Sequence, residues 1–293
     1  MTSNFPERSL TRAPMSQRTL FNTVMTVVAF ICGILALVPL LAVLSYVIIR
    51  GFGSLSPSLF FELPPKALQQ GGGFGNAILG TLIMVGIAAL ISIPFGVLAA
   101  IYITEFSSAQ VARWVRFAAN VLSGVPSIIA GVFAYGIVVL TLVKLNLGSY
   151  SAIGGGVALA ILMLPIIVRT TDEALQLVSQ DLRQASVGLG ATNFQTVTQV
   201  VLPAALPAIV TGATLAIARA AGETAPLLFT ALFSNFWPDG LFQPTASLAV
   251  LVYKYAISPF KNWQSLAWAA SLILVLMVLI TSIIARWATR KKA

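Results

Sequence analysis

The 293-residue sequence predicts an all-α membrane protein with six transmembrane helices, and three observations carry that reading. Hydrophobic residues make up 58% of the chain and charged residues 9%, where a soluble domain carries roughly a quarter charged. The mean hydropathy is +0.95. Apolar runs of about 20 residues or more, enough to cross a hydrocarbon layer as helix, recur along the whole length. They are continuous, whereas membrane strands alternate in segments of about ten residues.

Residues 1–18, polar and containing Pro6 and Pro14, read as a mobile cytoplasmic tail. The remainder, 19–293, reads as a single transmembrane domain. The first span covers about residues 20–49; its apolar core exceeds the roughly 7–15 residues of a cleaved signal peptide, so it stays as a helix. The other five are expected at about 76–104, 117–143, 151–170, 205–232 and 263–285. The fifth is interrupted only by Arg219 and Glu223. Gly124, Val125, Pro126 and Ser127 put a helix breaker inside the third, either as a packing kink or as an opening beside a solute path. Glycines such as Gly80, Gly96 and Gly212 suit close helix packing.

Between spans, residues 50–75 carry turn chemistry in Pro57, Pro64, Pro65 and Gly71–Gly73. Residues 234–261 place Phe236, Trp237, Phe242, Tyr253, Tyr255 and Phe260 around a short helical stretch at 246–256. An aromatic belt at the membrane surface is the expectation there, with a docking surface or outer gate as the alternative.

Lysine and arginine set the orientation. Eleven of the 17 fall on the side that holds both termini, five on the other, and Arg219 lies within a span. Both termini are therefore expected in the cytoplasm. This asymmetry accounts for the net charge of +9, so nucleic-acid binding is not expected. With one cysteine, Cys32, and no histidine, the chain has no internal disulfide, no histidine catalysis and no expected metal site.

One polar stretch stands apart from the spans. Residues 184–203, QASVGLGATNFQTVTQVVLP, have apolar positions at helical spacing in two pieces: Leu182, Ala185 and Leu189, then Phe194, Val197 and Val201. Gly188 and Gly190 separate the pieces, Asn193 is the expected N-cap of the second, and Pro203 and Pro207 mark the next span. The pattern predicts a helix–turn–helix lying crosswise at the membrane face. Helices that lie on lipid are usually rich in lysine and arginine, and residues 184–218 contain none. Contact with protein is the better expectation.

Gln184-Ala185-Ser186, then Gly190, then Val200-Val201-Leu202-Pro203, resembles the E-A-A, G, I-x-L-P cytoplasmic loop of bacterial ABC importer permeases. Gln184 stands where that family usually has glutamate, and Leu189 where many members have aspartate, departures that point to a subfamily. Residues 216–230, AIARAAGETAPLLFT, resemble the signature of the PstA family, the A-type permeases of phosphate-specific ABC importers. GVPSII at 124–129, RTTDEA at 169–174, Gln243-Pro244 and Ser258-Pro259-Phe260 extend the resemblance from the second span onward.

The resemblance implies a MetI-like permease fold in the bacterial cytoplasmic (inner) membrane. It further implies a complex with a homologous second permease (PstC-like), two copies of a cytoplasmic ATPase (PstB-like) holding ATP and Mg, and an extracytoplasmic phosphate-binding protein (PstS-like). Lipid surrounds the chain. Gln184, Ala185, Ser186, Gly188, Leu189, Gly190, Ala191 and Phe194 would then couple it to the ATPase. The chain has no phosphate-loop sequence of its own, because the glycines at 71–75 lack the lysine. It is expected to be a transport subunit and not an enzyme, binding no cofactor itself.

Arg219 and Glu223 are four apart, so on one helix they share a face and can pair. Arg219 lies roughly 20 Å up the span from Leu206 at 1.5 Å per residue. A charge at that depth costs roughly 3 kcal/mol or more and usually faces a cavity or partner. A fixed bridge between packed helices is one reading. The other uses the planar guanidinium fork, which suits a phosphate oxyanion, and places Arg219, Glu223 and the neighbouring Thr224 on a translocation pathway. Arg169, Asp172 and Glu173, at the cytoplasmic end of the fourth span, are an interfacial charge cluster or a gate. A permease for sulfate or molybdate, or an ion-coupled secondary transporter, are the alternative functions; the latter often shows matching broken halves, and none are visible here.

Overall fold

The computed structural model describes residues 17–69 and 71–290. Residues 1–16 of the expected tail lie outside the described residues, while Gln17 and Arg18 are already helical. Eleven helices account for the regular structure among the described residues: α1 (Gln17–Phe52), α2 (Ser58–Phe61), α3 (Gly75–Phe106), α4 (Ala109–Ser123), α5 (Ser127–Lys144), α6 (Ala152–Gln176), α7 (Gln180–Gly188), α8 (Asn193–Ala221), α9 (Ala225–Thr230), α10 (Leu248–Ala256) and α11 (Lys261–Arg290). Six of them, α1, α3, α5, α6, α8 and α11, are long and apolar enough to cross a membrane.

The chain divides into two compact units, residues 1–49 and 50–293. The first is the greater part of α1, a 36-residue helix that runs on through Pro39. The second is organised around α6, the most buried of the six long helices. Leu159, Met163 and Ile167 of α6 pack with Met84 and Ala88 of α3, Ala216 and Ala220 of α8, and Leu227 of α9.

Small residues let these helices touch. A Cβ on Gly155 would lie 2.5 Å from Met84 Sδ, one on Gly156 2.5 Å from Ile87 Cγ2, and one on Gly96 2.7 Å from Ile167 Cγ2. Lipid tails are as apolar as leucine, so close contact of this kind, and not the exclusion of water, holds membrane helices together.

Two apolar runs form broken helices, the third at the expected Gly124–Ser127 breaker and the fifth after Ala221. In the third run, the Ser108 hydroxyl accepts the Val111 N–H to cap α4, and α4 stops at Gly124. Pro126, with ψ 136°, stands outside both helices, and α5 starts at Ser127. At 15 residues α4 is shorter than the roughly 20 needed to cross, so α5 alone carries the third span. In the fifth run α8 ends at Ala221 and the separate short helix α9 follows. Its Pro226 is buried against α5, where a Cβ on Gly131 would come within 2.5 Å of Pro226 Cα. Protein covers that break, as broken backbone at membrane depth requires.

The aromatic segment departs in part from a surface belt. Phe236, Trp237 and Tyr253 are exposed, but Tyr255 is fully buried and stacks on Trp263 at 4.7 Å, 5° from parallel. Leu59, Phe74 and Leu251 surround it, and Trp263 Nε1 donates to the Pro65 carbonyl at 3.1 Å. Burial pushes the Tyr255 phenol up to about 12. Loop 50–75 and the α10–α11 corner thus share a small core of their own.

Gly156→Val should cost about 1–3 kcal/mol through overpacking against Ile87. The purified, detergent-solubilised chain should melt at lower temperature, whereas Gly86→Ala, which has open space around it, should not.

Candidate functional site

The polar stretch forms a tight hairpin. α7 ends in a Schellman turn: Gly190 N–H donates to the Val187 carbonyl at 2.9 Å and Ala191 N–H to the Ser186 carbonyl at 3.2 Å. The turn requires the left-handed φ of +86° that Gly190 adopts. Thr192, not Asn193, caps α8. Its Oγ1 accepts the Gln195 N–H and Gln195 Oε1 accepts the Thr192 N–H, a complete capping box. The glutamine three residues after a threonine was the available signal.

The second arm is not a separate helix, because it continues into the span through a π-turn at Val197–Val201. There the Leu202 N–H reaches back to the Val197 carbonyl. Widening the coil just before Pro203 accommodates a residue that has no N–H to give.

Of the expected coupling residues, Gln184, Ala185, Gly188, Leu189, Gly190 and Phe194 are exposed and Ala191 is half-buried. Ser186 is buried and bonds the Thr196 hydroxyl at 3.0 Å, closing the two arms on each other. Leu182, Val187, Phe194 and Leu189, the last 91% exposed, give the hairpin an apolar outer surface.

Behind it lies a charged network that the sequence reading largely missed. α3 ends in a second π-turn, Tyr102–Phe106. Glu105 in that turn receives two bonds from Arg183 Nη1, at 2.8 and 2.6 Å. Arg183 Nη2 donates to the Leu175 carbonyl in the last turn of α6 at 2.8 Å. The pair is well covered, with side-chain exposures of 17% for Arg183 and 9% for Glu105. Arg183 Nε is buried without a hydrogen bond.

Next to Glu105, the Thr104 hydroxyl donates to Asp172 Oδ1 at 2.8 Å. Asp172 also takes a two-pronged bond from Arg116 of α4, with Nε and Nη2 each at 2.8 Å. That hydrogen bond raises the Arg116 guanidinium above its ordinary value, against the opposing effect of burial. Of the expected cluster Arg169, Asp172 and Glu173, the structure pairs Arg169 with Glu173 at 2.9 Å and Asp172 with Arg116. An exposed pair one helical turn apart contributes little to stability. Arg116, Asn120, Arg169, Asp172 and Glu173 line an open cavity of about 400 Å³. No local spacing joins Arg116 to Asp172 or Arg183 to Glu105; both contacts exist only in the fold.

Arg219 and Glu223 do meet, with Arg219 Nε 3.6 Å from Glu223 Oε1. They do so across a helix end and not along a continuous helix. Gly222 N–H donates to the Arg219 carbonyl and Glu223 N–H to the Ala220 carbonyl, a tight final turn that swings Glu223 back beneath the guanidinium. Thr224 follows as the half-buried N-cap residue of α9. Arg219 is 56% exposed and Glu223 16%. The arginine therefore presents its donors outward while the glutamate is held in the protein. Among the described residues there is no cluster of three or more metal-ligating side chains.

A family model described as the binding-protein-dependent transport system inner membrane component matches residues 92–293. The chain is 39% identical over 272 residues to the phosphate transport system permease protein PstA of Yersinia pestis, covering 92% of this chain and 90% of that protein. PstA of Haemophilus influenzae is 40% identical over 266 residues, covering 90% and 92%. PstA 1 of Mycobacterium tuberculosis is 35% identical over 266 residues, covering 89% and 85%. Among solved structures, a chain of a bacterial alginate ABC transporter superposes with a TM-score of 0.65 over 95% of this chain and 98% of that one, at 15% identity. An inward-facing MetNI methionine ABC transporter gives 0.55 over 75% and 94%, at 23% identity. At those identities the likeness is one of fold.

Gly190→Ala should cost about 1–2 kcal/mol, because alanine resists the left-handed turn, and should lower hydrogen-exchange protection of the α7 amides. Gly188→Ala has open space and the better helix former, so it should raise that protection, by about 1 kcal/mol at most.

Proposed function

We propose, from the premise that this chain belongs to the PstA family of binding-protein-dependent transport permeases, that it is the membrane subunit of an ATP-driven importer of inorganic phosphate. The observation that carries the reading is the 39% identity to a phosphate permease along 92% of the chain. Its place is a multi-pass one in the cytoplasmic membrane with both termini inside, paired with a homologous permease. Two ATPase copies carry ATP and Mg below, and a phosphate-binding protein delivers solute from outside.

The α7–α8 hairpin is the ATPase contact. Its exposed Leu182, Val187, Leu189 and Phe194 form an apolar surface of the kind a protein cleft buries, and the capping box and Schellman turn hold it in one shape before docking. ATP-driven closure of the ATPase pair moves the hairpin and switches the permeases between outward-facing and inward-facing states. α8 runs without a break from the hairpin to Arg219, so one helix spans the distance from ATPase contact to solute.

Arg219 is the anion contact. Its exposed guanidinium, close to the helix break, can offer paired N–H donors to phosphate oxygens. Glu223, 3.6 Å away, holds the arginine in place and competes with the anion, which limits affinity so that phosphate can leave as well as enter. Thr224 lies beside them with a further hydroxyl. Arg169, Asp172 and Glu173, with Arg116, border the cytoplasmic mouth of this path.

ATP-driven uptake by the reconstituted complex tests the reading. Phosphate should be transported and sulfate or molybdate should not compete at equal concentration; transport of either in preference to phosphate would overturn it. Arg219→Gln should lower phosphate uptake about tenfold or more, the loss of a charge-assisted contact of ~1.5–3 kcal/mol. Unchanged uptake at normal membrane expression would remove Arg219 from the path.

A further inference from the structure

We propose that the π-turn closing α3 is the joint through which movement of α7 reaches the transmembrane helices, with Arg183 as its positioning residue. This rests on the reading of α7 as an ATPase contact, and it concerns how that contact is transmitted.

The two arms of the hairpin differ in how they join the membrane domain. α8 is continuous with its span, so the backbone itself carries force along it. α7 has no such continuity. It is nine residues long, separated from α6 by the turn at Leu177–Ser179 and from α8 by the left-handed turn at Gly190. Besides the Ser186–Thr196 bond to the other arm, Arg183 ties it to the membrane domain through side-chain hydrogen bonds. Both Nη atoms are used: Nη1 on the two Glu105 oxygens, Nη2 on the Leu175 carbonyl. One side chain thereby couples α7 to the ends of α3 and α6 together.

The π-turn gives this tie its reach. Adjacent residues of the turn hold different partners: the Thr104 hydroxyl donates to Asp172 of α6, and Glu105 accepts from Arg183 of α7. Thr104 holds Asp172, and Asp172 holds Arg116 on α4. The resulting chain of contacts runs from α7 to Arg183, Glu105, Thr104, Asp172 and Arg116, joining four helices at the cavity that Arg116 and Asp172 line. π-turns inside α-helices occur frequently at functional positions. Because Arg183 and Glu105 are mostly shielded from water, the pair is little screened by salt and depends strongly on both partners.

A rigid tie should govern the yield of transport per ATP and leave nucleotide turnover alone, because Arg183 points inward, away from the exposed face of the hairpin. The experiment measures ATP hydrolysis and phosphate uptake in the same proteoliposomes, using the full permease–ATPase complex with binding protein. Arg183→Gln should retain the ATPase and hydrolyse ATP near the wild-type rate, while phosphate moved per ATP falls about tenfold, within the range of a typical coupling free energy.

Arg183→Lys, which keeps the charge but loses the fork, should fall between. The double exchange Arg183→Glu with Glu105→Arg should recover part of the yield. Thr104→Val, which removes one hydroxyl from the next joint, should lower the yield with the Arg183–Glu105 pair intact; it gives the same readout where Arg183→Gln does not reach the membrane. An unchanged yield in Arg183→Gln, or in Thr104→Val where that variant stands in for it, overturns the proposal. So does loss of the ATPase from Arg183→Gln complexes, which would make the residue a docking support. A wild-type complex that neither hydrolyses ATP nor takes up phosphate would instead overturn the underlying reading of function.

Discussion

The close approach of α3 to α6 determines where the polar chemistry of this protein can sit. Gly96, Gly155 and Gly156 leave no room for a Cβ at the contact, and the two helices meet along a dry face of Met84, Ala88, Met163 and Ile167. With that face in register, Thr104 at the end of α3 meets Asp172 in α6, and Glu105 is left to receive Arg183. A slip along the contact would strand an aspartate and a glutamate in surroundings where an unpaired charge is severely disfavoured. Packing and electrostatics therefore specify the same register.

Charge is placed differently at the two ends of the proposed transport path. At the hairpin end, Arg183, Glu105, Asp172 and Arg116 are bonded at 2.6–2.8 Å, as groups that fix geometry should be. At the helix break, Arg219 and Glu223 stand 3.6 Å apart, with the arginine more than half exposed. A looser pair suits a site that must exchange its partner. On the proposed reading the tight pairs would transmit movement and the loose pair would bind solute, with α8 running unbroken from the hairpin to Arg219.

The sequence made some of this readable and hid the rest for identifiable reasons. Long apolar runs made the six long helices visible, because a span needs only length and hydropathy. The breaks at Gly124–Pro126 and Gly222–Thr224 were harder to place; proline and glycine marked the first, and at the second Glu223 and Pro226 hinted at an opening without fixing where the helix ends. The hairpin was visible from its glycines and its lack of basic residues, but a π-turn has no composition of its own, so the continuity of its second arm was not. Ser186, expected among the coupling residues, is buried and bonds Thr196 across the two arms, a contact the sequence did not show because a hydroxyl reads the same facing in or out. Arg219 and Glu223 were legible as neighbours in sequence. Arg116 with Asp172, and Arg183 with Glu105, lie 56 and 78 residues apart, and only the fold brings them together.

A rigid tie at Arg183 makes α7 move with α3 and α6 as one body when the ATPase closes. A spin-label distance measurement addresses it directly, on a chain whose single native cysteine, Cys32, is replaced by serine. Labels at Leu79 near the start of α3 and Val187 in α7, both exposed, report the distance along the proposed rigid unit in the full complex. The expected result is the same distance distribution without nucleotide and with ATP trapped, and a broadened or shifted one once Arg183 is replaced by glutamine. A distance that changes with ATP in the otherwise wild-type complex would contradict it.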